Sequence, residues 1–232
     1  MAGLAINVGA NTTLPGFRAP IAADGSFEYV PIPERKPTDR PLPTYDDLGV
    51  PIEIDPSLRD TPVHLDPTFA EYPCCTGYTY GDEHGVKATP ISRLDIEEFL
   101  FFYATLETAT DDPPPWMPPR WGAYLIGHHC LAEPPVTDAH ETGLTPAERD
   151  RYAENAHLKR ASLDARVLVR GDPDRSCLYD TAVPLSAPTG GSDPGSLVRT
   201  HSADSGKGPW WRRPLRFDDV GPIFSAREQQ HR

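Results

Sequence analysis

Residues 97–106 read EEFLFFYATL and residues 121–131 read WGAYLIGHHCL. Each is a short, nearly unbroken apolar run, rich in aromatic and branched side chains. That pattern fits a strand buried on both faces. Neither run approaches the roughly 20 apolar residues that a membrane helix needs. Between them, residues 111–120 (DDPPPWMPPR) hold five prolines, so the connector is stiff and extended. The three pieces predict a long central hairpin around a proline-rich loop.

Outward from this hairpin, residues 3–8 (GLAINV) predict a first buried strand and residues 164–170 (DARVLVR) a late one. Asp24-Gly25 between apolar runs predicts a turn, with a further strand over 27–32. Residues 33–43 carry too many prolines for a helix and read as an extended arm. Residues 76–85 (TGYTYGDEHG) read as a loop. Thr145-Pro146-Ala147-Glu148 is a capping box with proline at the first helical position, and predicts a helix reaching His157. Residues 188–208 read as mobile, and residues 225–232 as a frayed tail. Strands and helices do not alternate, which argues against a doubly wound parallel sheet. The expected class is α+β and β-dominated. It would be a single domain over 1–224, with a twisted sheet or partly open PUA-like barrel and a few short helices.

Composition narrows the function. The 232 residues include 28 prolines, more than twice the usual share of about 5%, which excludes a helical bundle. The formal net charge of −12 argues against wrapping long duplex DNA, though a small basic groove can sit on an acidic body. No basic, apolar leader opens the sequence. Cys74, Cys75, Cys130 and Cys177 lack the spacing of a zinc site or a disulfide framework. The expectation is a soluble cytoplasmic protein with free thiols and no membrane contact.

Five polar groupings stand out. Asn11 and Arg18 follow the first strand, where an amide and a guanidinium can hold a phosphate or a base edge; Asp24 reads as a turn residue. His64 and Asp66 lie between Pro62 and Pro67. In extended chain they share a face, so the carboxylate can orient the imidazole or both can ligate a metal. The plain alternative is a loop histidine with Asp66 capping a turn. Tyr80-Gly81-Asp82 with His84 forms a third group, in which Asp82 can act as a general base, meet a cation, or be a solvated loop residue. Asn155, His157, Lys159 and Arg160 offer a donor-rich wall, or cations docked on a helix end. Trp210-Trp211-Arg212-Arg213 has the composition of a base-stacking surface, or of a segment docking its tryptophans on the core. His128-His129 reads as structural, with one of the pair facing inward. These readings assign His64, Asp66 and Asp82 to catalysis. They assign Asn11, Arg18, Tyr80, Asn155, His157, Lys159, Arg160 and Trp211 to substrate binding. No metal is assigned, and the cofactor is left open. Walker, Rossmann, G-x-S-x-G and deaminase signatures are all missing.

In order, NTT at 11–13, APIAADGSFEYVPIPE at 19–34, HLDPTF at 64–69, TYGD at 79–82, the two apolar runs, NAHLKR at 155–160 and WWRRPL at 210–215 resemble the nucleotide modification associated domain 3 family. The resemblance is to a haloarchaeal-type member and covers most of the chain. It implies a mostly β fold and a role in modifying DNA bases, or in systems that act on modified ones. DNA or a nucleotide is then the expected partner; the oligomeric state is not implied. The two long runs are more weakly similar to PUA-like readers such as the EVE and ASCH domains. Two functions follow. As an enzyme, His64 or Asp82 acts as base, Asp66 orients His64, and Lys159 or Arg160 holds phosphate. As a reader, a flipped base stacks between Tyr80 and Trp211, with phosphates on Arg18 and Arg160. In a third reading the proline-rich loop around Trp116 is a polyproline ligand for another protein.

Overall fold

A computed structural model describes residues 1–230. Strand accounts for 31% and helix for 20% of residues, which makes the fold α+β and β-dominated, as expected. The chain forms two compact units and crosses between them four times: residues 1–30, 99–128 and 179 onward make the first, and residues 31–98 and 129–178 the second.

The first unit is built on a six-stranded sheet in which Phe99–Thr108 is central. On one side it pairs with Trp121–Cys130, followed by Cys177–Pro184; on the other with Gly3–Asn7, followed by Leu215–Phe217. Gly3–Asn7 runs parallel to it, with Leu4 opposite Leu100, and Pro20–Ile21 adds a short parallel edge. The apolar runs are unbroken because both faces of these strands are covered: every residue from Phe99 to Leu106 is buried. The hairpin closes where Thr108 N–H donates to the Arg120 carbonyl (2.9 Å) and the Thr108 hydroxyl to the Pro118 carbonyl (2.7 Å). His128 and His129 fall on opposite faces of their strand, and both are buried because both faces are covered. His128 Nδ1 meets the Tyr179 hydroxyl at 2.9 Å.

Three expectations for the first unit are corrected. The Asp24-Gly25 turn is present, with Gly25 at φ +88°, but no strand spans 27–32. Phe27 makes a single bridge to Ile21, and Ile32 instead opens a separate two-residue strand paired with Val63–His64. Residues 188–208 are structured rather than mobile. Ser186–Ala187 pairs with Gly190–Pro194, a π-helical turn at Leu197–His201 buries Val198, and the Trp210 indole donates to the Ser192 carbonyl at 2.8 Å. Helix Gly221–Gln230 includes most of the stretch read as a frayed tail. It docks through buried Ile223 and an edge contact of Phe224 on Phe99 with ring centroids 5.1 Å apart. Residues 231–232 of that stretch lie outside the described residues.

The second unit carries a three-stranded antiparallel sheet with Val167–Arg170 between Thr79–Asp82 and Val136–Thr137. Residues 79–82, read as loop, are therefore strand, and all four are buried. Their ladder partner lies far along the chain, with Gly81 opposite Leu168. A two-residue pair, Ile32–Pro33 on Val63–His64, sets Ile32 opposite His64. The Thr145 capping box is present, but the helix spans only Pro146–Arg151. Tyr152 ends it, buried with Leu168 and Ala165. Asn155 then caps a separate turn, Ala156–Lys159, by accepting the His157 N–H at 3.0 Å. No helix among the described residues is long and apolar enough to cross a membrane. All four cysteines are free thiols.

Candidate functional site

The site builds up from the short pairing of Ile32–Pro33 with Val63–His64. Two residues past Ile32, the Glu34 N–H donates to the Pro62 carbonyl (2.9 Å), which sets the Glu34 carboxylate beside His64. The His64 Nδ1 and the Glu34 Oε2 are 2.7 Å apart. A second imidazole is held in the same way: His157 Nδ1 lies 2.6 Å from Asp164 Oδ1. The rings meet edge to face, with centroids 4.9 Å apart. A carboxylate on Nδ1 keeps the proton on that nitrogen and leaves Nε2 as the free lone pair. Both Nε2 atoms turn toward Asp66 Oδ2, at 3.8 Å from His64 and 3.4 Å from His157. Asp66 is itself positioned: its carboxylate accepts the Gly81 N–H at 2.9 Å and the Asn155 amide at 3.2 Å. His64, Asp66, Asn155 and His157 are all buried.

Arg160 ties the surrounding carboxylates together. Its Nε and Nη2 donate to both oxygens of Glu34, at 3.0 and 3.1 Å. Its Nη1 donates to Asp164 at 2.7 Å and to Glu83 at 2.9 Å. Lys36 adds bonds to Glu83 and, at 2.8 Å, to Asp164. Burial pushes the Asp66 carboxyl up to about 7 and the His64 imidazole below its ordinary value. Glu34 goes the other way: burial pushes it up, but hydrogen bonds from His64, Arg160 and the Lys36 backbone bring it down to about 2. Asp164 also falls well below the carboxylate range, since its contact with His157 and its other partners outweigh burial.

The sequence-assigned residues divide between the two units. His64, Asp66, Asn155, His157 and Arg160 meet in the cluster just described. Asp82 points elsewhere, accepting the Tyr80 hydroxyl at 2.8 Å and the His84 N–H at 2.6 Å, with Lys87 Nζ at 3.9 Å. Tyr80 is buried and has no open face for a base. Lys159 pairs with Glu154 at 3.5 Å. Arg160 gives its donors to three carboxylates rather than to solvent. Asn11, Arg18 and Trp211 belong to the first unit, where they line a cavity of about 260 Å³ with Asn7, Thr105 and Arg212. There the Arg18 guanidinium lies 4.4 Å over the Trp121 ring and 3.8 Å from Glu107, and Trp211 meets Trp121 edge on. Asn11 and Asp24 cap turns, accepting N–H groups at 2.9 Å from Thr13 and Ser26 respectively.

Glu34, Lys36, Glu83 and Asp164 complete the cluster, and the sequence reading does not single them out. Glu34 closes the PIPE stretch, and that block is the one signal that could have drawn attention to it. The other three look like ordinary surface charges until the fold brings them to Arg160. The ligand atoms of His64, Asp66 and His157 all lie within 4.8 Å of one another, as do those of Glu83, His157 and Asp164. Both groups could hold a cation, and the first could also act as an acid–base centre. A groove of about 380 Å³ opens on the carboxylate side, between Lys36, Glu83, Asp164, His84, His140 and Arg166.

A model of the nucleotide modification associated domain 3 family matches residues 3–231, nearly the whole sequence, so the chain belongs to that family. No curated protein and no solved structure matches the chain.

Proposed function

We propose, from this membership in a family named for nucleotide modification, that the protein acts enzymatically on a nucleobase or nucleotide. The reaction centre is the His64–Asp66–His157 cluster. One observation carries this reading: two buried imidazoles, each backed by a carboxylate on Nδ1, present Nε2 to the same aspartate. Two Nε2 lone pairs converging on one carboxylate suit acid–base or metal chemistry. The groove beside the cluster offers Arg166, which is exposed and makes no ion pair among the described residues, as the contact for phosphate. The substrate is DNA or a nucleotide, met in the cytoplasm, where four free thiols stay reduced.

Nucleoside mass spectrometry of DNA from cells with and without the gene tests this reading. We expect a nucleoside whose abundance changes with the gene and reverts when His64→Ala or Asp66→Asn replaces it. Identical nucleoside profiles in all four strains would overturn the reading.

The cavity of the first unit favours a second reading, as a non-catalytic reader of modified nucleic acid. A guanidinium stacked on one indole, with another at its edge, is suited to a base and its phosphate. Titration with modified and unmodified oligonucleotides at several salt concentrations distinguishes the two. A reader prefers the modified strand and loses that preference with Arg18→Ala; equal weak affinity for both strands rejects it.

A further inference from the structure

We infer that His64 Nε2, His157 Nε2 and Asp66 Oδ2 bind a divalent first-row transition metal ion. The inference deepens the enzymatic reading of the same cluster. It rests on that reading for its purpose and not for its measurement.

Three independent observations converge on an ion. The first is spacing. Asp66 Oδ2 lies 3.4 Å from His157 Nε2 and 3.8 Å from His64 Nε2, beyond the roughly 2.7–3.2 Å of a good N–H···O hydrogen bond. A tetrahedral ion with bonds of about 2.0–2.1 Å holds its ligands about 3.4 Å apart. The second is the outer shell. Metal-binding histidines donate their other N–H to a carboxylate, and ligating carboxylates are hydrogen-bonded in turn. All three side chains meet that requirement, through Glu34, Asp164 and the Gly81–Asn155 pair. The third is charge. Glu34, Asp66, Asp82, Glu83 and Asp164 face Lys36, Lys87 and Arg160, so the carboxylates, when ionised, outnumber the cations by two, matching a divalent ion. Lys87 lies 3.9 Å from Asp82 and also faces Asp66.

The neighbouring Glu83–His157–Asp164 group is the poorer site. Arg160 and Lys36 already occupy its oxygens, and it would use the His157 nitrogen that holds the proton. Two imidazoles and one carboxylate suit zinc, iron(II) or cobalt(II) over magnesium or calcium, which prefer oxygen ligands. Three protein ligands leave coordination positions for water or substrate.

The test uses the full-length protein and no substrate. After stripping with a chelator, it is titrated with cobalt(II), followed by visible d–d absorption, and with zinc(II), followed by calorimetry. We expect saturation at one ion per chain. Asp66→Asn and His157→Ala should abolish it, and Glu34→Gln, which touches only the outer shell, should weaken it by about 10–100-fold. Circular dichroism confirms that each variant is folded. Should the ligand variants fail to fold, the wild-type stoichiometry and the Glu34→Gln shift decide alone. No saturable binding by the wild-type protein overturns the inference, as does binding that Asp66→Asn or Glu34→Gln leaves unchanged. A metal-binding protein with no nucleoside phenotype would retain this inference and remove the proposed activity; the converse result would remove this inference alone.

Discussion

Arg160 sits where its three nitrogens donate four hydrogen bonds to three carboxylates, with its side chain only 7% exposed. A guanidinium can satisfy both oxygens of Glu34 while reaching Asp164 and Glu83, because its donors lie in a fixed planar fork. A lysine in its place would be a single point charge and could not hold two imidazole-orienting carboxylates in register. Replacing it with an apolar residue strands Glu34, whose side chain is 2% exposed. Breaking a buried ion pair on one side costs about 3–5 kcal/mol. Arg160→Met is therefore expected to lower unfolding free energy by about that amount in urea titration. A loss below about 1 kcal/mol would show that the network is solvated and weak. The sequence marks Arg160 as one of several cations in NAHLKR. Its role depends on Glu34, 126 positions earlier, and nothing in local pattern connects the two.

At the scale of elements, strand Thr79–Asp82 holds Asp66 from behind through the Gly81 N–H. Gly81 also lets that strand approach closely: a Cβ there would sit 2.7 Å from His157 Cδ2 and 3.0 Å from a Leu168 methyl. Gly81→Ala is expected to cost about 1–3 kcal/mol by overpacking, and to weaken metal binding by displacing the His157 ring. Unchanged melting and unchanged cobalt affinity together would contradict this placement. Helix Pro146–Arg151 provides the contrast. Its cap is exposed, with Glu148 accepting the Thr145 N–H at 2.7 Å, and none of its residues enters the cluster. Thr145→Ala should cost about 1 kcal/mol in thermal or chemical unfolding and leave cobalt affinity at the wild-type value. The helix start was legible because a capping box is a local motif. Its early end was not, because burial of Tyr152 and the new cap at Asn155 are decided by packing. Thr79–Asp82 was illegible for a related reason. A strand buried on both faces has no alternation to read, and its glycine and tyrosine look like loop.

For the whole molecule, the interleaved chain has a consequence for folding. The second unit draws on residues 31–98 and 129–178, so no contiguous piece contains it. A fragment of residues 31–98 carries Glu34, His64 and Asp66 but lacks Arg160, His157 and the central strand of its sheet. It is expected to show no cooperative melting and to bind cobalt(II) no better than a free histidine peptide; a folded, metal-binding fragment would refute this. The amino-acid sequence by itself determined the β-dominated class, the central hairpin and its proline-rich loop, the capping box and the family, because unbroken apolar runs, proline and capping motifs act over a few residues. Only the tertiary structure decided that 79–82 is strand, that 188–208 and most of 225–232 are ordered, and that Glu34, Lys36, Glu83 and Asp164 gather around two histidines. Those outcomes depend on ladder partners, burial and ion pairs between residues far apart in the chain, and such long-range pairing energies leave no trace in local pattern.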